Sequence, residues 1–225
     1  MNLDVVRRAP LFATLDDADA AEVMATMTPV RMERGDVLFN EGDQGDRLYV
    51  ITEGKIKLGR SSTDGRENLL AILGPSEMLG ELSLFDPGAR TATATAVAET
   101  QLIGLGNEQL SQLLGAHPRI AGTLLSALAR RLRRTNENLA DLVFTDVPGR
   151  VAKALLELSQ RFGRPVEEGV MVAHDLTQEE LAQLVGASRE TVNKALADFA
   201  SRGWLRLEAR AVLLTDVERL QRRAR

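Results

Sequence analysis

Between Pro118 and Pro148 one apolar pattern runs without a break: Leu125, Leu128, Leu132, Thr135, Leu139 and Leu142 recur at spacings of 3, 4, 3, 4 and 3. A stripe that narrow, repeating every seven residues, is the seam of one helix packed along another. Over residues 117–144 such a helix would be roughly 40 Å long at 1.5 Å per residue. Its length and narrow seam predict pairing with the same helix of a second chain, a homodimer; the alternative is a core helix lying on its own domain. Thr135 is the polar member of the seam. Such a residue either sets register and oligomer state or is kept because a ligand satisfies its hydrogen bonds, and periodicity does not choose between the two.

The chain has a different texture on each side of this helix. Residues 1–26 read as a short helical lead-in carrying Leu11, Phe12 and Leu15. From about Thr28 to Leu105 short apolar runs at 37–39, 48–51, 56–58, 69–73 and 93–97 alternate with turn residues. Asp64-Gly65 is a pair favoured at tight hairpin turns, where Gly takes positive φ without steric cost. Short strands so spaced predict an antiparallel barrel or sandwich. Beyond Thr145-Asp146-Val147-Pro148 a new helix is expected, with Thr145 or Asp146 as its cap, Pro148 in its first turn, and Val151, Ala154, Leu155 and Leu158 on one face. The domain reading is therefore a β-domain at 1–116, a long helix at 117–144 and a third part at 145–225.

Composition narrows the chemistry. Zero cysteines in 225 residues exclude disulfides, iron–sulfur clusters, thiolate zinc sites and cysteine nucleophiles together. His117 and His174 are far apart and read as surface or capping residues, so no metal site, haem ligand or acid–base pair is expected. No run of about 18 uncharged apolar residues offers a membrane span, and residues 1–8 lack a cationic segment followed by an apolar core, so a cytoplasmic protein without a membrane partner is expected. Charge is uneven. Residues 1–116 hold 10 Lys+Arg against 18 Asp+Glu, a net of −8; 117–144 hold 5 against 2, and 145–225 hold 13 against 12. An acidic front and a mildly basic back imply different partners.

The third part carries a sharper signal. Thr177-Gln178-Glu179-Glu180 is a capping box. The helix it opens turns Leu181, Ala182, Leu184 and Val185 inward and stops at Gly186, a left-handed terminator. Ser188 then caps a second helix, Arg189 to about Ala200, with Val192, Leu196 and Phe199 inside. Small Ala182, Gly186 in the turn and β-branched Val192 form the helix-turn-helix arrangement. Outside lie Arg189, Glu190, Asn193 and Lys194: Arg can bond guanine bidentately, Glu can accept from the cytosine amino group, and Lys can reach guanine or phosphate. With Thr177, Gln178 and Ser188 these form the expected surface for double-stranded DNA. Residues 204–208 and 211–214 look like two strands around a turn, which makes the unit a winged helix.

A β-domain, a long helix and a winged helix in that order resemble the cyclic-AMP receptor protein (CRP/FNR) family of bacterial transcription regulators over essentially the whole chain. The motifs are Gly80-Glu81-Leu82-Ser83 with Arg90-Thr91-Ala92, and Val185-Gly186-Ala187-Ser188-Arg189-Glu190-Thr191-Val192. The stretches 130–136 and 144–150 look most like the actinobacterial members. The resemblance implies an α+β chain: an N-terminal cyclic-nucleotide-binding β-roll (jelly-roll-like), a dimerisation helix and a C-terminal winged helix-turn-helix. It implies cyclic AMP as allosteric ligand and no cofactor. Arg90 would pair with the cyclic phosphate and Thr91 would add a hydroxyl. Amides near Gly80 and Leu82 would supply further donors, and Glu81 would accept from the ribose 2′-hydroxyl. Ser83 and Ala92 complete the cassette, and Thr135, with Asn136 of the partner chain, would contact adenine.

The same resemblance implies that Arg189 and Glu190 read a TGTGA-like half-site, with half-site centres about 34 Å apart, and that RNA polymerase is a partner, for which 160–169 is the candidate segment. Lys194 departs from the best-known members, which carry Arg there; Lys lacks the planar fork. Cyclic GMP would share the phosphate and ribose contacts, so Thr135 and Asn136 would have to discriminate. DNA binding independent of ligand is the other alternative. An enzyme would need a metal cluster or an activated nucleophile, and no such grouping is spelled out. A nucleotide buffer whose winged helix binds protein would be excluded by DNA binding that vanishes when Arg189 and Glu190 become Ala.

Overall fold

The computed structural model describes residues 3–61, 67–86 and 88–224; the Asp64-Gly65 turn expected above lies outside them. The chain divides into two compact units, one of residues 1–61 and 70–133, the other of 62–69 and 134–225.

The N-terminal unit opens with α1 (Leu3–Arg7) and α2 (Asp17–Thr26), the latter capped by the Asp16 side chain, which accepts from the Asp19 amide. The strands follow: β1 (Thr28–Met32), β2 (Val37–Phe39), β3 (Arg47–Glu53), β4 (Ile56–Ser61), β5 (Glu67–Leu73) and β6 (Met78–Leu79). A single helical turn, α3 (Leu82–Phe85), precedes β7 (Thr93–Ala96) and β8 (Thr100–Gly106), and α4 (Asn107–Ala116) closes the domain. Two four-stranded sheets result, ordered β1-β8-β3-β6 and β2-β7-β4-β5. The β1–β8, β8–β3, β3–β6, β2–β7 and β7–β4 pairs are antiparallel.

The alternation of side chains along β3 explains why the sheets need covering on both faces. Leu48 and Val50 face a cluster with Val6, Leu110, Ile120 and Leu124 from the helices and Phe12 from the turn between α1 and α2, whereas Ile51 joins Ile56, Leu58, Ala94 and Leu102 between the sheets. The long helix, α5 (Arg119–Phe144), is unbroken over 26 residues. Ile120 and Leu124 anchor its start in the first cluster. Its seam residues Leu125, Leu132, Leu139 and Leu142 lie exposed, Leu132 at 62%, and Phe144 at its end is 86% exposed.

The C-terminal unit holds α6 (Val147–Phe162), with Asp146 as its cap and Pro148 in the first turn. Buried on its inner face are Gly149, Val151, Ala152, Leu155 and Leu158; Ala154, expected there, is half-buried beside them. Then come β9 (Gly163–Val166), β10 (Gly169–Ala173), α7 (Gln178–Val185), α8 (Arg189–Ser201), β11 (Leu205–Glu208), β12 (Ala211–Leu214) and α9 (Val217–Arg223). The wing is a four-stranded sheet, β11-β12-β10-β9. Val170 pairs with Leu214 and Val172 with Val212, so the wing hairpin is backed by a second hairpin.

The sequence reading did not name β1, β6, β8, α4, α9 or the β9–β10 hairpin. Gly104 and Gly106 break the apolar run of β8, and Pro165 disfavours a strand reading for β9. The segment 160–169, the candidate for contact with RNA polymerase, is the end of α6 followed by this hairpin. His174, read as surface or capping, is buried, and its Nδ1 accepts from the Leu176 amide two residues on. Leu184 is half-buried rather than inside with Leu181, Ala182 and Val185. Among the described residues no helix is long and apolar enough to cross a membrane, and no group of three or more His, Asp and Glu could hold a metal ion.

Candidate functional site

Two sites emerge, one in each unit. In the N-terminal unit the chain leaves β6 through Gly80, whose φ of +83° places it in the left-handed region. A Cβ there would stand 2.5 Å from Arg90 Nη1 and 2.8 Å from the Arg47 carbonyl, so only glycine lets the loop close over the arginine. Arg90 is 4% exposed. Its Nη1 donates to the Gly80 carbonyl (2.8 Å) and at 3.4 Å to Ser83 Oγ, and its Nη2 donates to the Arg47 carbonyl (2.7 Å). Nε is buried and has no partner among the described residues. Burial pulls this guanidinium below its ordinary range while Tyr49, Asp46, Glu81 and Asp43 pull the other way; an arginine keeps its charge throughout.

Glu81 sits at the N-terminus of α3 and is 3% exposed. Its Oε1 accepts from Arg131 Nη1 at 2.7 Å, and its Oε2 is buried with no partner among the described residues. A buried donor and a buried acceptor, each with an unmet hydrogen bond, lie in one loop system; such groups are costly unless something satisfies them. A cyclic phosphate and a ribose hydroxyl are chemically suited to the two.

Of the other residues singled out, Ser83 and Ala92 are buried with Arg90, whereas Leu82 and Thr91 are exposed. Thr135 and Asn136 lie on exposed positions of α5 within the C-terminal unit. Two residues of this neighbourhood escaped the sequence reading. Arg131, on α5, reaches Glu81 across 50 positions of sequence. Gly45 closes the other side: a Cβ there would lie 2.2 Å from Ser83 Cβ and 3.4 Å from Arg90 Cζ. The run of acidic and glycine residues around Gly45 signalled only a turn.

The second site is the helix-turn-helix. Thr177 accepts from the Glu180 amide (3.1 Å) while Glu180 Oε2 accepts from the Thr177 amide (2.8 Å), the reciprocal box expected from the sequence. Gly186 ends α7 in the left-handed conformation, φ 70°, ψ 43°, and Ser188 caps α8 by accepting from the Thr191 amide. Val192, Ala195, Leu196 and Phe199 are buried beneath α8. Thr177, Gln178, Ser188, Arg189, Glu190 and Lys194 are exposed. Lys194 Nζ donates to Glu190 Oε1 at 2.7 Å, one helical turn away. Asn193 departs from the outward face predicted for it: it is half-buried, and its Oδ1 is buried without a partner. Asn193 follows buried Val192 and stands one turn before buried Leu196, at the edge of the inward face of α8.

Around the turn before α8 the same unit holds a polar clamp. The Arg150 guanidinium donates to the carbonyl of Thr145 (2.8 Å) at the end of α5 and to those of Val185 (3.0 Å) and Gly186 (3.1 Å) in the turn. Lys153 bonds Asp141, which also accepts from Thr145 Oγ1, and Arg134 meets Glu157 at 2.5 Å. A Cβ on Gly186 would lie 2.7 Å from Leu142 Cδ2. Arg223 Nη2 donates to Asp146 at 2.5 Å, and this, with the Gly149 amide, holds the Asp146 carboxyl below the usual carboxylate range. The last turns of α5, the start of α6 and the helix-turn-helix turn are therefore bonded to one another.

Residues 29–117 match the cyclic nucleotide-binding domain model and residues 149–223 the Crp-like helix-turn-helix domain model. Over 222 residues, 99% of either chain, the protein is 57% identical to the CRP-like cAMP-activated global transcriptional regulator of Mycobacterium tuberculosis. It is 37% identical over 202 residues, 90% of each chain, to the cyclic AMP receptor protein of Thermus thermophilus. The solved structure of FixK2 from Bradyrhizobium japonicum shares the fold, with a TM-score of 0.79 at 23% identity, covering 88% of this chain and 96% of that one. The match to both domain models and the 57% identity along essentially the whole chain place the protein in the CRP/FNR family of DNA-binding transcription regulators, proteins that are not enzymes.

Proposed function

We propose that the protein is a cyclic-AMP-responsive homodimeric regulator that recognises a TGTGA-like palindrome in double-stranded DNA. Residues 1–116 bind the ligand, 117–144 pair the protomers and 145–225 read DNA. Ligand binding is coupled through the long helix to the DNA-binding unit, and the regulator works in the cytoplasm with RNA polymerase as its partner. The observation that carries the reading is the buried pair in the β-domain, where Arg90 Nε and Glu81 Oε2 each await a partner. An anionic phosphate answers the first and a ribose 2′-hydroxyl the second. Thr135 and Asn136 would complete the site on the adenine side. The homodimer is supported by exposed seam leucines at seven-residue spacing on α5. Coupling is supported by the Arg150 clamp, which ties the end of the long helix to the turn before α8.

For a switch, cyclic AMP must bind the DNA-competent arrangement better than the other one; couplings of this type are about 1–3 kcal/mol. The test is fluorescence anisotropy of a labelled TGTGA-N6-TCACA duplex at one fixed near-physiological salt, with and without cyclic AMP, since phosphate contacts make affinity strongly salt-dependent. Tightening by cyclic AMP but not by cyclic GMP, and a preference over a scrambled duplex, are expected. Equal binding with and without ligand would overturn the switch, and no preference over the scrambled duplex would overturn the half-site.

A further inference from the structure

Among the described residues every hydrogen-bond partner of Arg90 is neutral: two backbone carbonyls and a serine hydroxyl. Glu81, the carboxylate on the same loop, is bonded to Arg131 instead. What covers the guanidinium face is an aromatic ring. Arg90 Cζ lies 4.3 Å from the centroid of Phe39, and Phe39 is itself stacked on Tyr49 with centroids 6.3 Å apart at 28°. Phe39 ends β2 just after a register shift: Val37 pairs with Thr95 and Phe39 with Ala94, so two residues advance on β2 against one on β7. Bulges of this kind re-aim side chains beside functional sites.

We propose that Phe39 is a positioning residue of the anion site, acting through Arg90. A buried arginine can be fixed by a carboxylate or by an aromatic face. A carboxylate would cancel the charge that the ligand's phosphate needs, whereas the ring's quadrupole attracts the cation and leaves its net charge intact. Phe39, with the Gly80 and Arg47 carbonyls, therefore orients the guanidinium and keeps its charge for the incoming anion. This rests on the cyclic-nucleotide reading of the site.

Phe39 also packs against the core between the sheets, so the test separates ring from bulk. In the full-length protein, cyclic AMP affinity is measured by calorimetry for wild type, Phe39→Tyr, Phe39→Leu, Arg90→Lys and Phe39→Leu/Arg90→Lys, with melting temperatures taken without ligand. Phe39→Leu keeps an apolar side chain but removes the quadrupole; it should weaken cyclic AMP about five- to thirtyfold. Phe39→Tyr should stay within about threefold of wild type. Where Arg90 is already Lys, adding Phe39→Leu should cost clearly less than it does in the wild type, since the guanidinium that the ring orients is gone. Wild-type affinity in Phe39→Leu, an equal loss in Phe39→Tyr, or the same loss in the Arg90→Lys background would each overturn the positioning role. A wild-type protein that fails to bind cyclic AMP overturns the functional reading and this proposal with it.

Discussion

The two sites of this chain handle polar groups in opposite ways. In the β-domain Arg90 and Glu81 are almost wholly buried, and each keeps one polar atom without a protein partner. On α8, Arg189, Glu190 and Lys194 stand in solvent, and Lys194 is already bonded to Glu190. A buried, half-satisfied group gains a great deal from one matching ligand and little from any other, because the low local dielectric strengthens a good contact and penalises an unpaired one. An exposed, solvated set gains less per contact and depends on salt. The first arrangement suits a small ligand recognised atom by atom; the second suits a long polyanion on which the protein must first land and then select a register.

The comparison predicts its largest effect at Arg90. Arg90→Gln removes the buried cation of the loop and should weaken cyclic AMP at least about a hundredfold, measured by calorimetry. The unliganded melting temperature should move much less than that loss would suggest. A loss below tenfold would mean that the buried loop is not the anion site. Next in size is Gly45→Ala, whose Cβ would lie 2.2 Å from Ser83 Cβ. The loop must shift to admit it, at a cost of about 1–3 kcal/mol in stability, and ligand affinity should fall with it. Unaltered affinity would show that the loop tolerates movement and that the two sites differ less than their burial suggests.

On the DNA side Arg189→Ala and Glu190→Ala should each cost about 1–3 kcal/mol against the preferred half-site, read by anisotropy, and should leave the melting temperature unchanged because both residues are exposed. Cyclic AMP affinity in the absence of DNA should be unaffected; a change there would blur the division of labour between the units. The smallest effect is expected at the start of α6. The Asp146 carboxyl is held low by Arg223 and the Gly149 amide. A depressed acid stabilises the fold fully above the ordinary carboxylate range, and the contribution disappears as pH falls through its own lower value. Asp146→Asn should therefore melt slightly lower than wild type near neutrality, by no more than about 2–4 °C for so exposed a pair. The two curves should converge in acid.

The same contrast decides what could be read from the residues. The helix-turn-helix was legible because its signals are local: the Thr177–Glu180 box, Gly186 and the Ser188 cap each act over three or four residues. The long helix was legible from its seam, and its start and end fall within two residues of those expected. The β-domain was legible as a class but not strand by strand, since strands such as β8 owe their place to partners far away in sequence. Legibility fades fastest at the buried loop of the β-domain. The cassette of Gly80 to Ala92 entered through a family resemblance, whereas the pairing of Glu81 with Arg131 and the approach of Gly45 to Ser83 exist only once the chain is folded. Asn193 shows the converse: helical periodicity placed it outward, and burial of its Oδ1 follows from the packing beneath α8.

The central claim is that a small ligand in one unit alters how the other meets DNA. Binding free energies are reciprocal, so the most direct test is cyclic AMP affinity with and without a saturating TGTGA-N6-TCACA duplex at fixed salt. The account predicts that the duplex tightens cyclic AMP by the same factor by which cyclic AMP tightens the duplex, about 5- to 150-fold for a coupling of about 1–3 kcal/mol. A cyclic AMP affinity indifferent to the duplex would contradict it and leave two sites that share a chain without communicating.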